Sequence, residues 1–333
     1  TPYLLHRMIG SEEVYRATMS YLDWRVYGFF FSFIAVMFRA FYVSTTNTKI
    51  LTANSVVMVL TNVVLNYILI FGKFGFPALG IAGAAIASSI SEAVSVMFFV
   101  IYTWKKVDYK YGLFRFTRVD FRMLGQILSV SIWVMIQHGI AFGGWFIFFI
   151  AMEHLGERPL AITNVVRSIS SFLFMFVNAF ASTNSSLVSN LIGAGESDRV
   201  LPLSRRMIGL CYAFVLPIGI LIAMFPSTVL RIYTDNPDLI ASSIPSLWVM
   251  LSSYLFAVPG FIYFFSVSGT GNTRRALEID MASIFVYVLY ILYVAVWLRA
   301  DVAVCWTTEY VYNIMILSSF FYLWKGNWRN KKI

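Results

Sequence analysis

Thr45-Thr46-Asn47-Thr48-Lys49 and Thr270-Gly271-Asn272-Thr273-Arg274 are two versions of one short polar turn, 225 residues apart. Each separates two long apolar runs, places Asn, Thr and Gly where turns favour them, and ends in a cation. The likeness spreads outward. Pro2-Tyr-Leu-Leu-His-Arg7 reads against Pro226-Ser-Thr-Val-Leu-Arg231, Glu13-Val14 against Asp238-Leu239, and Glu92 against Glu309. Residues 1 to 105 are therefore repeated as 226 to 325, and a repeat of that size constrains the architecture before any single helix is considered.

Composition decides the solvent. Hydrophobic residues make up 59% of the chain and charged residues 12%, with a mean hydropathy of +0.75, against roughly 45–50% and about 25% in soluble domains. Apolar windows of about 20 residues recur, hydrophobic on all sides and closed by charged clusters, which is the signature of membrane-spanning helices. Nine spans are predicted, at 21–42, 51–72, 79–102, 124–152, 161–192, 207–225, 244–268, 277–298 and 302–324. The fold class is an all-α polytopic membrane protein.

The net charge of +9 does not mark a nucleic-acid surface. Lys49, the run from Lys105 to Arg122, then Arg199, Arg205, Arg206, Arg274, Arg275 and Lys325 to Lys332 occupy alternate connections and the tail. The intervening connections hold only Arg7, Arg16, Lys73, Arg158, Arg231 and Arg299. That alternation is the positive-inside pattern and places the richer set, with the C-terminus, in the cytoplasm. Cys211 and Cys305 fall in apolar runs, where a buried free thiol is expected.

The repeat also orders the chain into units. Residues 1–105 form an N-terminal lobe of three helices, 106–122 a basic cytoplasmic linker, 123–325 a C-terminal lobe of six helices and 326–333 a basic tail. The second copy is preceded by three spans and the first by none. Two equivalent units would require about three further helices, on the order of 100 residues, ahead of Thr1, for an expected total of twelve.

Three motifs carry a family resemblance: Asn62-Val-Val-Leu-Asn66-Tyr-Ile-Leu-Ile-Phe-Gly72, then Phe76-Pro-Ala-Leu-Gly80-Ile-Ala-Gly-Ala-Ala-Ile-Ala-Ser88, and Leu191-Ile-Gly-Ala-Gly195-Glu196. With the two Asn-Thr-cation turns, the chain resembles the fourth to twelfth helices of the multidrug and toxic compound extrusion (MATE) family. The resemblance implies two helical lobes related by a pseudo-twofold axis, with a cleft between them that opens to alternate sides. It also implies a monomeric antiporter of the bacterial inner membrane. That antiporter would export amphipathic organic cations against H+ or Na+, with no cofactor beyond the coupling ion, no nucleic-acid partner and lipids around it. The alternative is a flippase for lipid-linked saccharide or cell-wall precursors. Such a protein should line its cleft with many cations for pyrophosphate, whereas the predicted spans hold only Arg39 and Arg167 away from their ends. No His-Glu-x-x-His, Gly-x-Ser-x-Gly or paired membrane aspartate supports an enzyme.

Ionisable groups inside a bilayer are expensive, about 2.5–3.5 kcal/mol on insertion scales, so they are the first functional candidates. The predicted spans place two acids deep, Glu92 and Glu309. Ser88 stands one turn before Glu92, and the small-residue run 80–89 would admit a close neighbour. Asn62 and Asn66, four apart, share a helical face and offer two carbonyl oxygens. In related archaeal-type members the second of these positions is an acid of a cation site, to which Tyr21 and Ser88 correspond more loosely. A further acid of that site lies on the family's first helix, outside this sequence. His138 beside Gln137 stands where bacterial members often carry a carboxylate, and an imidazole suits H+ better than Na+. Arg39 is expected to snorkel, and Arg167 to pair with Glu153 or line the cleft. Pro217 and Pro259 should bend their helices. Trp145, Phe146, Met175, Phe176, Tyr254 and Phe256 are the candidate substrate contacts, through apolar area and cation–π attraction.

Overall fold

The repeated turns share a backbone feature. Thr46 and Gly271, equivalent in the repeat, both adopt positive φ, 58° and 76°. Glycine enters this left-handed region freely, whereas a β-branched Thr is strained there. Thr46 is held by the N–H of Asn47 bonding back to the Tyr42 carbonyl at 3.0 Å. The computed structural model describes residues 12–107, 114, 120–326 and 328. The repeat's opening segment 2–7 and the basic residues Lys110, Arg115, Arg118, Arg329, Lys331 and Lys332 lie outside the described residues.

The chain divides into two compact units, Thr1–Arg118 and Val119–Ile333. In the first, α1 (Glu12–Ser44), α2 (Lys49–Phe71) and α3 (Gly80–Lys106) form a trio in which α3 packs along both of the others. The reason is the small face of α3. Gly83, Ala85, Ala87, Ser91 and Ser95 are buried on it, and a Cβ on Gly83 would sit 2.6 Å from the Leu69 carbonyl of α2. Small residues of this kind are how helices approach one another in lipid, where apolar area alone gives no preference for protein over acyl chain. At the α1 end, Tyr42 stacks on Phe99 and hydrogen-bonds Thr103 Oγ1 at 2.6 Å.

The second unit comprises α4 (Phe121–Leu155), α5 (Glu157–Gly193), α6 (Val200–Met224), α7 (Pro226–Leu230), α8 (Pro237–Gly269) and α9 (Thr273–Ile291). The chain continues as α10 (Val302–Trp306), α11 (Thr308–Ile316) and α12 (Ser319–Lys325). Asp120 caps α4 and Asn236 caps α8, each accepting two backbone N–H groups. Helices α5 and α8 pack closely: a Cβ on Gly269 would be 2.5 Å from the Ser185 carbonyl, and Asn184 Nδ2 donates to Ser266 Oγ at 2.6 Å. Trp306, Phe148, Leu247, Met250 and Ile262 fill the core. Trp297, near the end of the π-helical turn that follows α9, is more than three-quarters exposed, as expected of a surface that meets hydrocarbon.

All nine predicted spans are helical. Eight described helices are long and apolar enough to cross a membrane. The ninth, 302–324, is instead broken at Thr307 and again at Leu317 and Ser318 into three short helices. The sixth and seventh spans each remain one helix through Pro217 and through Pro245 and Pro259. The last turns of α9 widen into a π-helix, Leu292–Trp297.

Candidate functional site

Two polar clusters occupy the helical interiors, one in each unit. The larger surrounds a cavity of about 610 Å³ within the second unit, walled by α4, α5, α8, α9 and α11. Asp280 of α9 and Glu309 of α11 both line it. Asp280 is 2% exposed, and its Oδ1 accepts the Tyr312 hydroxyl at 2.9 Å, with Gln137 facing the same carboxylate. Tyr312 is one turn beyond Glu309 on α11, so the two acids belong to one connected wall. Glu309 is within electrostatic reach of the hydroxyls of Tyr254, Tyr287 and Tyr312. Tyr254 in turn donates to the Ser170 carbonyl at 2.7 Å, one turn from Arg167.

Aromatic side chains make the rest of the wall: Trp145, Phe146 and Phe149 from α4, Phe174 from α5, Phe261 from α8. The Arg167 guanidinium lies 4.6 Å over the Phe149 ring and faces the cavity. The expected Arg167–Glu153 ion pair is not formed. Glu153 lies exposed near the end of α4, and stacking on Phe149 takes the guanidinium into the cavity instead. The Oδ1 of Asn313, a residue 2% exposed, is buried on this wall without a hydrogen-bond partner among the described residues.

The first unit holds a different arrangement. Arg25 of α1 grips Glu92 of α3 with both terminal nitrogens, at 2.8 and 2.7 Å. Side-chain exposures are 21% and 15%. Gly28, one turn after Arg25, makes room for the pair: a Cβ there would lie 2.5 Å from Arg25 Nη1 and 2.6 Å from Glu92 Oε2. Glu92 thus has a guanidinium as its partner in this structure. Alongside it, Asn66 Nδ2 donates to Asn62 Oδ1 at 2.9 Å, and Asn62 Nδ2 donates to Ser91 Oγ at 3.2 Å and Ser88 Oγ at 3.4 Å. The Oδ1 of Asn66 is buried without a partner among the described residues. Tyr21 stands one turn before Arg25 on α1, on its electrostatic side.

The structure gathers Gln137, His138, Trp145, Phe146, Arg167, Tyr254 and Glu309 around one cavity. Met175, Phe176 and Phe256 do not line it. Met175 points outward, Phe176 packs at the edge of the core, and Phe256 packs on Tyr310. Two residues escaped the sequence reading. Asp280 follows Arg274, Arg275 and Glu278 at a predicted helix start, where hydropathy reads it as interfacial; its spacing to Ser283 and Tyr287 on one face was the available signal. Arg25 stood one turn inside its predicted span and reads as a helix-end cation. The structure places it well inside its helix, because α1 begins at Glu12 rather than Tyr21.

The MatE family model matches residues 1–68 and 134–294. The probable multidrug resistance protein NorM of Thermotoga maritima is 28% identical over 238 residues, covering 71% of this chain and 50% of its own length. This chain spans about half the length of such relatives. Among solved structures, an outward-facing multidrug resistance MATE family transporter of the MOP superfamily aligns with a TM-score of 0.88 at 16% identity. It covers 98% of this chain and 72% of its own. A MOP superfamily transporter from Pyrococcus furiosus aligns at 0.87 and 16% identity, over 98% and 73%.

Proposed function

Because the chain belongs to the MatE family of membrane transporters, we propose that it exports amphipathic organic cations, driven by an inward flow of H+ or Na+. Asp280 and Glu309 are the groups at which coupling cation and substrate compete. The observation that carries this reading is the placement of two carboxylates in an aromatic-walled cavity of about 610 Å³ between spanning helices. An organic cation entering there gains apolar contact and cation–π attraction from the rings. It is neutralised by a carboxylate that cannot keep its own charge in a dry site without a counter-ion. Binding of a proton or Na+ at the same carboxylates removes that attraction, so the two ligands exclude one another. Exclusion of this kind is what antiport requires.

The first unit contributes differently in this reading. Glu92 is held by Arg25, so coupling falls to the second unit, with Asn62 and Asn66 as polar supports between α2 and α3. The excess of cations in alternate connections orients the protein with its C-terminus in the cytoplasm, in a bacterial inner membrane. A flippase binding pyrophosphate would need a cationic cavity, and this one offers two carboxylates to one guanidinium.

Reconstituted into vesicles, the protein should drive uptake of a fluorescent organic cation when either a pH or a Na+ gradient is imposed, and the effective gradient identifies the coupling ion. Asp280→Asn and Glu309→Gln should each lower gradient-driven transport at least about tenfold. Wild-type gradient dependence in both variants would remove the assignment.

A further inference from the structure

The face of α8 turned away from the cavity carries three residues at helical spacing, Leu255, Pro259 and Tyr263. The cavity is lined from α8 by Tyr254, Ala257, Phe261 and Phe264, and at about 100° per residue the two sets point in opposite directions. Helix α6 borders the stripe on one side. Pro259 lacks the N–H that would close a helical bond to the Leu255 carbonyl, and the Tyr212 hydroxyl donates to that carbonyl instead. Helices α11 and α12 border the other side, with Phe256 packed on Tyr310 and the rings of Tyr263 and Phe320 centred 5.1 Å apart. Between these borders Leu255 is exposed, Pro259 half-buried and Tyr263 buried. The stripe is the floor of an apolar groove that runs roughly 12 Å along α8.

The Tyr263 end of the groove is positively charged. The Arg205 guanidinium of α6 reaches the Tyr263 hydroxyl, and Arg206 beside it is exposed. Neither forms an ion pair among the described residues, whereas Arg199 is taken by Glu196, and Arg274 and Arg275 by Glu278. One turn on from Arg205, on the same face of α6, stands Gly209, where a Cβ would meet nothing within 4 Å. The wall of the groove is therefore open at the point where a side chain would fill it. On the opposite wall, exposed Trp324 follows Phe320 by one turn, the placement of an aromatic ring at headgroup level.

We propose that this groove binds one anionic phospholipid, with the phosphate on Arg205 and the Tyr263 hydroxyl and an acyl chain along Gly209, Pro259 and Leu255. The arginine fork and the phenol hydroxyl supply directed donors to a phosphate, and Arg206 adds to the positive potential that draws anionic lipid to this surface. A soluble anion would find the donors but leave the apolar floor uncovered. A zwitterionic lipid would cover the floor but bring a cationic group to two arginines. The lipid that satisfies both halves carries a net negative charge and a long chain. Its site lies on the far face of α8 from the cavity, and it stands whether or not that cavity exports cations.

The purified protein in detergent is titrated with phosphatidylglycerol or with phosphatidylcholine of identical chains, and bound lipid is read by native mass spectrometry. Wild type should bind phosphatidylglycerol about tenfold more tightly than phosphatidylcholine. Arg205→Gln should remove that preference and Arg205→Lys keep part of it, while Arg122→Gln, the same loss of charge on α4, should leave it intact. Gly209→Leu, which fills the groove with a side chain, should lower phosphatidylglycerol binding about tenfold. Arg205 and Gly209 are exposed, so an unfolding midpoint equal to that of wild type is expected and separates loss of the site from loss of the fold. Equal affinity of wild type for the two lipids overturns the inference, as does an equal loss of preference in Arg122→Gln. Full binding by Gly209→Leu, or displacement of the lipid by inorganic phosphate at the lipid's own concentration, reduces the site to a surface for free anions and overturns it too.

Discussion

The Arg25–Glu92 pair offers the sharpest test of how charge is handled inside the first unit. Its two hydrogen bonds, at 2.8 and 2.7 Å, join side chains that are only 21% and 15% exposed. Removing one partner of a buried pair costs on the order of 3–5 kcal/mol, chiefly because the other charge is stranded. Partial exposure lowers that, so Glu92→Gln and Arg25→Met should each destabilise by about 2–3 kcal/mol. The double variant strands nothing and keeps most of the volume, so its cost should be about 1 kcal/mol rather than the roughly 5 kcal/mol sum of the singles. The assay is denaturant unfolding in detergent, followed by the fluorescence of tryptophans that include Trp24, whose carbonyl accepts from Ser89 of α3 beside the pair. A double variant as unstable as the summed singles would show that the two charges are solvated separately. The claim that Glu92 is locked by Arg25 would then be lost.

Gly83→Ala should cost about 1–3 kcal/mol by overpacking α3 against α2, since its Cβ would fall 2.6 Å from the Leu69 carbonyl. Gly125→Ala on α4, with open space around its Cβ, should be neutral or stabilising by up to about 1 kcal/mol in the same unfolding assay. Cys211 and Cys305 are buried and unpaired, so maleimide should label neither in the folded protein and both after denaturation; rapid labelling of the native protein would contradict the packing around them.

Helices, membrane placement and family were legible because they rest on one-dimensional regularities. Long apolar runs such as Leu51 to Phe71 admit no structure but a helix in hydrocarbon, and the Thr45–Lys49 turn with its echo marks the repeat in plain sequence. Glu309 and His138 were found because a charge in the middle of an apolar run is conspicuous. Asp280 was not, since hydropathy averages it with Arg274, Arg275 and Glu278, although its side chain turns inward to Tyr312. Nor could spacing reveal that Arg25 meets Glu92 across 67 residues, or that Arg167 prefers the Phe149 ring to Glu153. The amino-acid order alone determined which segments enter the membrane, because burial of backbone polar groups in lipid leaves each segment no choice. Which charges neutralise one another and which are left to face a ligand was decided only by tertiary packing, because electrostatic pairing depends on distances of a few ångströms between side chains of different helices.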